Sequence, residues 1–67
     1  MEPSEIFELI VKADERLKYA HEDNAGQRTQ QAREMLVKAR DAAREIGNDG
    51  LVQQAETRLA DLDAGTS

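Results

Sequence analysis

Sixty-seven residues hold one small domain, and 15 Leu, Ile, Val, Met and Phe beside ten Ala give it a thin core that self-association would help. A formal net charge of −5, with one Phe and one Tyr, opposes free nucleic acid as a ligand and favours basic partners. The absence of cysteine excludes disulfides, thiolate metal sites and a cysteine nucleophile, and points to a cytoplasmic protein.

In the first segment Ile6, Ile10, Ala13, Leu17 and Ala20 recur every three or four residues, which puts them on one helix face. Ser4 is the expected N-cap, with Pro3 just outside. Glu5 and Glu8 meet the positive end of the helix dipole, and Lys18 and His21 the negative end. The expected helix spans residues 4–22. Charged residues interrupt this segment before Leu17, so no apolar run is long enough for a signal peptide or a membrane span.

Asn24-Ala25-Gly26 breaks the chain. A second stripe follows at Thr29, Ala32, Leu36, Ala39, Ala43 and Ile46, with Met35 and Ala42 forming a parallel line beside it. A helix with two apolar lines touches two neighbours, so this helix, expected over 26–46 and closed by Gly47, is the central one. Gly47-Asn48-Asp49-Gly50 is a dense turn signal in which Asn48 or Asp49 can cap the next helix. Leu51 or Val52, then Ala55, Leu59 and Leu62, predict that helix over 50–63, with residues 64–67 a frayed tail. No alternating strand pattern occurs.

The expected fold is therefore all-α: a single domain over residues 1–67, an antiparallel three-helix bundle whose short connections make neighbouring helices antiparallel. Charge agrees. The middle segment carries five bases against three acids, whereas acids outnumber bases in the segments on either side. The initial Met and polar tail suit a complete small protein.

The spacing Ala32-x3-Leu36-x2-Ala39-x3-Ala43 resembles the second helix of a tetratricopeptide-type unit. Arg44-Glu45-Ile46-Gly47-Asn48 and the helix after it resemble the end of that unit and its follower. Tyr19 and Ala20 fall where such a unit's first helix carries packing residues, and the resemblance covers about residues 13–62. In length and layout the chain is also similar to the three-helix microtubule-interacting-and-transport domain. Both resemblances imply binding of a peptide or protein.

No feature calls for an enzyme, a metal or a cofactor. His21 reads as a surface residue near a helix end. The pairs Asp14-Glu15, Glu22-Asp23 and Asp61/Asp63 read as solvated carboxylates, because general acid–base chemistry needs a desolvated cleft that three short helices do not offer. Two surfaces stand out. Arg33, Arg40 and Arg44, with Val37 between them, form a basic line on the second helix. They either clamp an acidic peptide or pair with the flanking acidic helices. Phe7 and Val11 lie off the Ile6–Ile10–Ala13 line, with Leu9 on its other side, so the start of the first helix is apolar most of the way round. Either the bundle buries Phe7 and Val11 or they form a partner site or dimer contact, which Met35 and Val37 would extend from the second helix. The functional expectation is a small interaction module or adaptor for a partner's peptide or helix. A self-associating homodimeric docking element is the alternative, and a regulator using Arg28, Arg33, Arg40 and Arg44 on nucleic acid a weaker one.

Overall fold

The computed structural model describes residues 1–19 and 24–65. It shows three helices, α1 over Pro3–Lys18, α2 over Ala25–Glu45 and α3 over Asp49–Gly65, with no strand among the described residues. The all-α three-helix architecture is thus as expected, and the differences lie at the helix ends.

α1 starts earlier than its sequence suggests. Pro3 occupies the first turn, where its missing N–H costs nothing and its fixed φ suits a helix. Glu2, not Ser4, is the N-cap. Its backbone is extended, and its N–H donates to Glu5 Oε1 at 3.1 Å, so the third helical residue reaches back to the cap. The helix closes at Lys18, with Tyr19 as C-cap donating its N–H to the Glu15 carbonyl at 3.1 Å. Ala20, His21, Glu22 and Asp23, which the apolar spacing placed in or just after this helix, lie outside the described residues, as do Thr66 and Ser67.

α2 ends as glycine predicts. Gly47 takes φ +71, a left-handed conformation that costs glycine little. The Gly47 N–H then bonds the Arg44 carbonyl at 3.1 Å, and the Asn48 N–H the Ala43 carbonyl at 2.9 Å. These two bonds satisfy carbonyls that the helix end would otherwise leave orphaned. Of the two candidate caps for α3 the structure selects Asn48, whose Oδ1 accepts the Leu51 N–H at 3.1 Å. α3 then runs to Gly65, so Ala64 is helical instead of the start of a frayed tail.

Ile6, Ile10 and Ala13 from α1, Ala32, Leu36, Ala39 and Ala43 from α2, and Leu51, Ala55 and Leu59 from α3 form the buried core. Leu17, Met35, Ala42 and Leu62 pack at its edge. Thr29 is only half-buried and Ile46 is exposed, so the stripe of α2 is shorter than its sequence period. Ile46 falls at the C-cap, one residue before the left-handed turn, beyond the last packed turn.

Side-chain bonds between helices fix direction and register. Arg33 pairs with Asp63 and Arg44 with Glu56, so α3 runs antiparallel to α2. Arg16 donates to Gln31 at 2.8 Å, and a shallow groove brings Leu9 beside Met35 and Lys38, which makes α1 antiparallel to α2 as well. α1 and α3 are therefore parallel to each other, on the two flanks of α2. They meet much less closely than either meets α2. The molecule is correspondingly flat, with Cα extents of 37 × 21 × 13 Å. No helix among the described residues is long and apolar enough to cross a membrane.

Candidate interaction surface

Phe7 and Val11 are four residues apart and share one line of α1, which Asp14 continues a turn later. The buried residues Ile6, Ile10 and Ala13 lie to one side of that line. The bundle leaves the line partly uncovered: Phe7 is 49% exposed and Val11 38%. Asp14 identifies what the line faces. Both of its carboxylate oxygens accept from Arg58 Nε of α3 at 3.0 Å, and Arg58 also donates to the Gln54 carbonyl at 3.1 Å. The line therefore runs along the side of α1 turned toward α3. Counting back from the Asp14–Arg58 pair along two parallel helices, Phe7 lies level with Leu51 and Val11 level with Ala55. These two α3 residues are themselves buried, so Phe7 and Val11 stand partly exposed beside the α1–α3 seam, which the ion pair bridges farther along.

Met35 and Val37 do not extend this surface. Successive helical residues turn by about 100°, so two residues apart on α2 they point to opposite flanks. Met35 joins Leu9, Arg16, Gln31, Glu34 and Lys38 in the groove between α1 and α2. Leu9 is itself roughly 160° from Phe7 around α1, by the same turn angle. Val37 lies on the flank of α2 that carries Arg33 and Arg44, toward α3. Both Met35 and Val37 are half-buried against the core. The four apolar candidates thus fall into three separate places, and only Phe7 and Val11 share one.

The arginine line is committed within the chain. Arg33 reaches Asp63 at 2.6 Å, Arg44 reaches Glu56 at 2.7 Å, and Arg40 sits 3.2 Å from its neighbour Asp41. Two of the three thus pair with the flanking helix α3, whereas Arg40 pairs only along α2, and no salt bridge of the line reaches α1 among the described residues. Such partly exposed pairs orient helices and contribute only about 0–1 kcal/mol each.

Two features escaped the periodicity. The first is Arg58, the one base of the last segment, which ties α3 to α1 through Asp14. Its pairing depends on a register between helices that sequence spacing does not give. The second is the distribution of exposed apolar side chains. The Arg16–Gln31 bond places Ile46 level with Met1, so Met1, Phe7, Val11 and Ile46 all lie in the half of the bundle where α1 begins and α2 ends. Among the described residues, Tyr19 is the large hydrophobic exposed in the other half, with Lys18 Nζ 5.8 Å from its ring centroid. Among the described residues no group of three or more His, Cys, Asp and Glu side chains is placed to hold a metal ion. Comparisons with protein-family models, with curated proteins and with solved structures return no match.

Proposed function

We propose that this chain is a protein-interaction module that receives a segment of a partner on the Phe7–Val11 side of α1. The observation that carries this reading is that two large apolar side chains on one helix line stay partly exposed while, among the described residues, ten other apolar residues close into a contiguous core. In a domain with so few large apolar residues, leaving two of them at the surface forgoes burial that the thin core would gain from. A partner that covers them recovers that burial on binding. The looser meeting of α1 and α3 supports the same reading, because α3 does not fully cover the two residues. On this reading the chain has no catalytic role, and its lack of cysteine suits a reducing compartment such as the cytoplasm.

The test is the double substitution Phe7→Ala/Val11→Ala, read by far-UV circular dichroism and by affinity capture from host lysate. The expected outcome is an intact helical spectrum with loss of partners that the unaltered chain retains. Retention of every captured partner by the folded variant contradicts the proposal. A homodimer through the same residues is the competing arrangement, and sedimentation equilibrium of the free chain over a range of concentrations separates the two.

A further inference from the structure

We infer that the groove between α1 and α2 takes an acidic peptide segment of a partner, on the side of α1 away from Phe7 and Val11. This goes beyond the Phe7–Val11 reading and does not depend on it. Two adjoining hollows open along the α1–α2 seam. The first, of about 370 Å³, is lined by Leu9, Arg16, Gln31, Glu34, Met35 and Lys38. The second, of about 390 Å³, shares Arg16 and adds Lys12, Glu15, Tyr19 and Arg28. The nine Lys and Arg of the chain divide by place. Arg33, Arg40, Arg44 and Arg58 each form a salt bridge. Lys12, Arg16, Arg28 and Lys38 line the two hollows, and none of them forms a salt bridge among the described residues. The ninth, Lys18, stands beside the Tyr19 ring.

Lys12 and Arg16 are four residues apart on α1, a spacing at which like charges repel. Across the seam Arg16 bonds Gln31, which lies one turn from Arg28 and two turns from Lys38 on α2. Glu15 and Glu34 belong to the same lining. Four bases against two acids still leave it two positive charges in excess, on a chain of net charge −5. A carboxylate laid in the groove relieves the repulsion, and Arg16 is held ready for it. Gln31 Oε1 accepts from Arg16 Nη1 at 2.8 Å, and the guanidinium makes no other hydrogen bond among the described residues, so donors remain for a charge-assisted pair. Leu9 and Met35, both half-buried, supply apolar surface between these charges, and methionine adapts to the side chain it meets. The occupant that meets both features is a short segment with Asp or Glu on either side of one large apolar residue. A polynucleotide fits less well, because its continuous phosphates meet Glu15, Glu34 and the acidic chain around them.

The experiment uses the full chain and two labelled peptides of one length with a central Leu, one flanked by Glu and the other by Gln. Binding is read by fluorescence anisotropy at low and moderate salt, and the site is mapped by amide chemical-shift changes. The expected result is that the Glu peptide binds at least about tenfold more tightly than the Gln peptide at low salt and loses much of that advantage at moderate salt. Its shifts centre on Leu9, Arg16, Gln31 and Met35. Arg16→Gln/Lys38→Gln weakens it about tenfold, whereas Arg33→Gln/Arg44→Gln, with the same change in net charge, alters it less than about threefold. Circular dichroism checks that each variant stays helical. Lys38→Gln alone, on an exposed side chain outside every salt bridge of the described residues, weakens binding about threefold and serves if the double variant unfolds. Equal binding of the two peptides, or equal sensitivity to the two double substitutions, overturns the inference. Shifts centred on Arg33 and Arg44 move the acidic segment to the other flank of α2 and also overturn it. A single-stranded oligonucleotide that binds the same amides more tightly than the Glu peptide assigns the groove to nucleic acid and overturns it. Concentration-dependent self-association that shifts those amides assigns the groove to a second copy and overturns it. Shifts at Phe7 and Val11 in place of the groove overturn it and leave the Phe7–Val11 surface standing.

Discussion

Phe7 and Leu36 are both large apolar residues on helices, and the structure predicts that trimming them to alanine has very different consequences. Leu36 is fully buried at the middle of the central helix, where it faces both neighbours. Leu36→Ala loses its transfer energy and leaves a cavity that the surrounding helices fill only in part, at a cost of about 2–5 kcal/mol. A domain of this size has a total stability of only about 3–10 kcal/mol, so the loss removes a large share of it. Phe7 is half exposed. Complete burial of such a side chain is worth about 1.5–3 kcal/mol, so the covered half is worth about 1 kcal/mol, and no closed cavity forms. Alanine's better helix propensity returns about 0.5 kcal/mol. The expected net cost of Phe7→Ala is below about 1 kcal/mol. Urea unfolding followed at 222 nm, with the slope of the transition held in common, measures both. In thermal melts the same difference appears as a shift of at least about 10 °C for Leu36→Ala and a few degrees for Phe7→Ala. Equal destabilisation by the two substitutions refutes the reasoning, because it places Phe7 in the core and takes away the surface on which the functional proposal stands.

Three further predictions concern the scaffold. Asn48→Ala removes the side-chain cap of α3 and lowers stability by about 1 kcal/mol in the same urea assay, whereas Asn48→Asp retains most of it. Gly26 lies in the first turns of α2 with open space around the position a Cβ would take, so Gly26→Ala raises the melting temperature, by about 0.5 kcal/mol of stability. A double-mutant cycle on Asp14 and Arg58 yields a coupling of about 0–1 kcal/mol that shrinks as salt rises, because both side chains are partly exposed.

Much of this architecture is legible in the sequence. The spacing of Ile6, Ile10 and Ala13, and of Ala32, Leu36, Ala39 and Ala43, marks the faces that the structure buries, because a helix face and its apolar period are the same physical object. Gly47 and Asn48 announce the α2–α3 turn for equally local reasons. The start of α1 was harder to read. Ser4 is a good cap in isolation, but Pro3 can open a helix from its first turn, and Glu5 is then correctly placed to serve Glu2. The candidate surface was legible only as a question. One helix's sequence shows that Phe7 and Val11 lie off the core stripe, but whether they are covered depends on how far α3 leans toward α1. That distance is set by side chains on three helices together. The proposed continuation through Met35 and Val37 fails for a similar reason: their place relative to Phe7 follows from the rotation of α2 in the bundle, which the Arg16–Gln31 and Arg44–Glu56 contacts define.

The chain contains no cysteine, so a single introduced thiol reports its own site without interference. Ile10 and Val11 adjoin in sequence, one fully buried and the other 38% exposed. The decisive measurement is the rate of thiol labelling of Ile10→Cys and Val11→Cys under native conditions, each relative to its rate in denaturant. The expected result is that Cys at position 11 reacts within a few-fold of its denatured rate, while Cys at position 10 is slowed by at least about tenfold, a protection of some 1.4 kcal/mol. Comparable protection at both positions would contradict the account, because Val11 would then belong to the core and the Phe7–Val11 line would no longer offer an apolar surface.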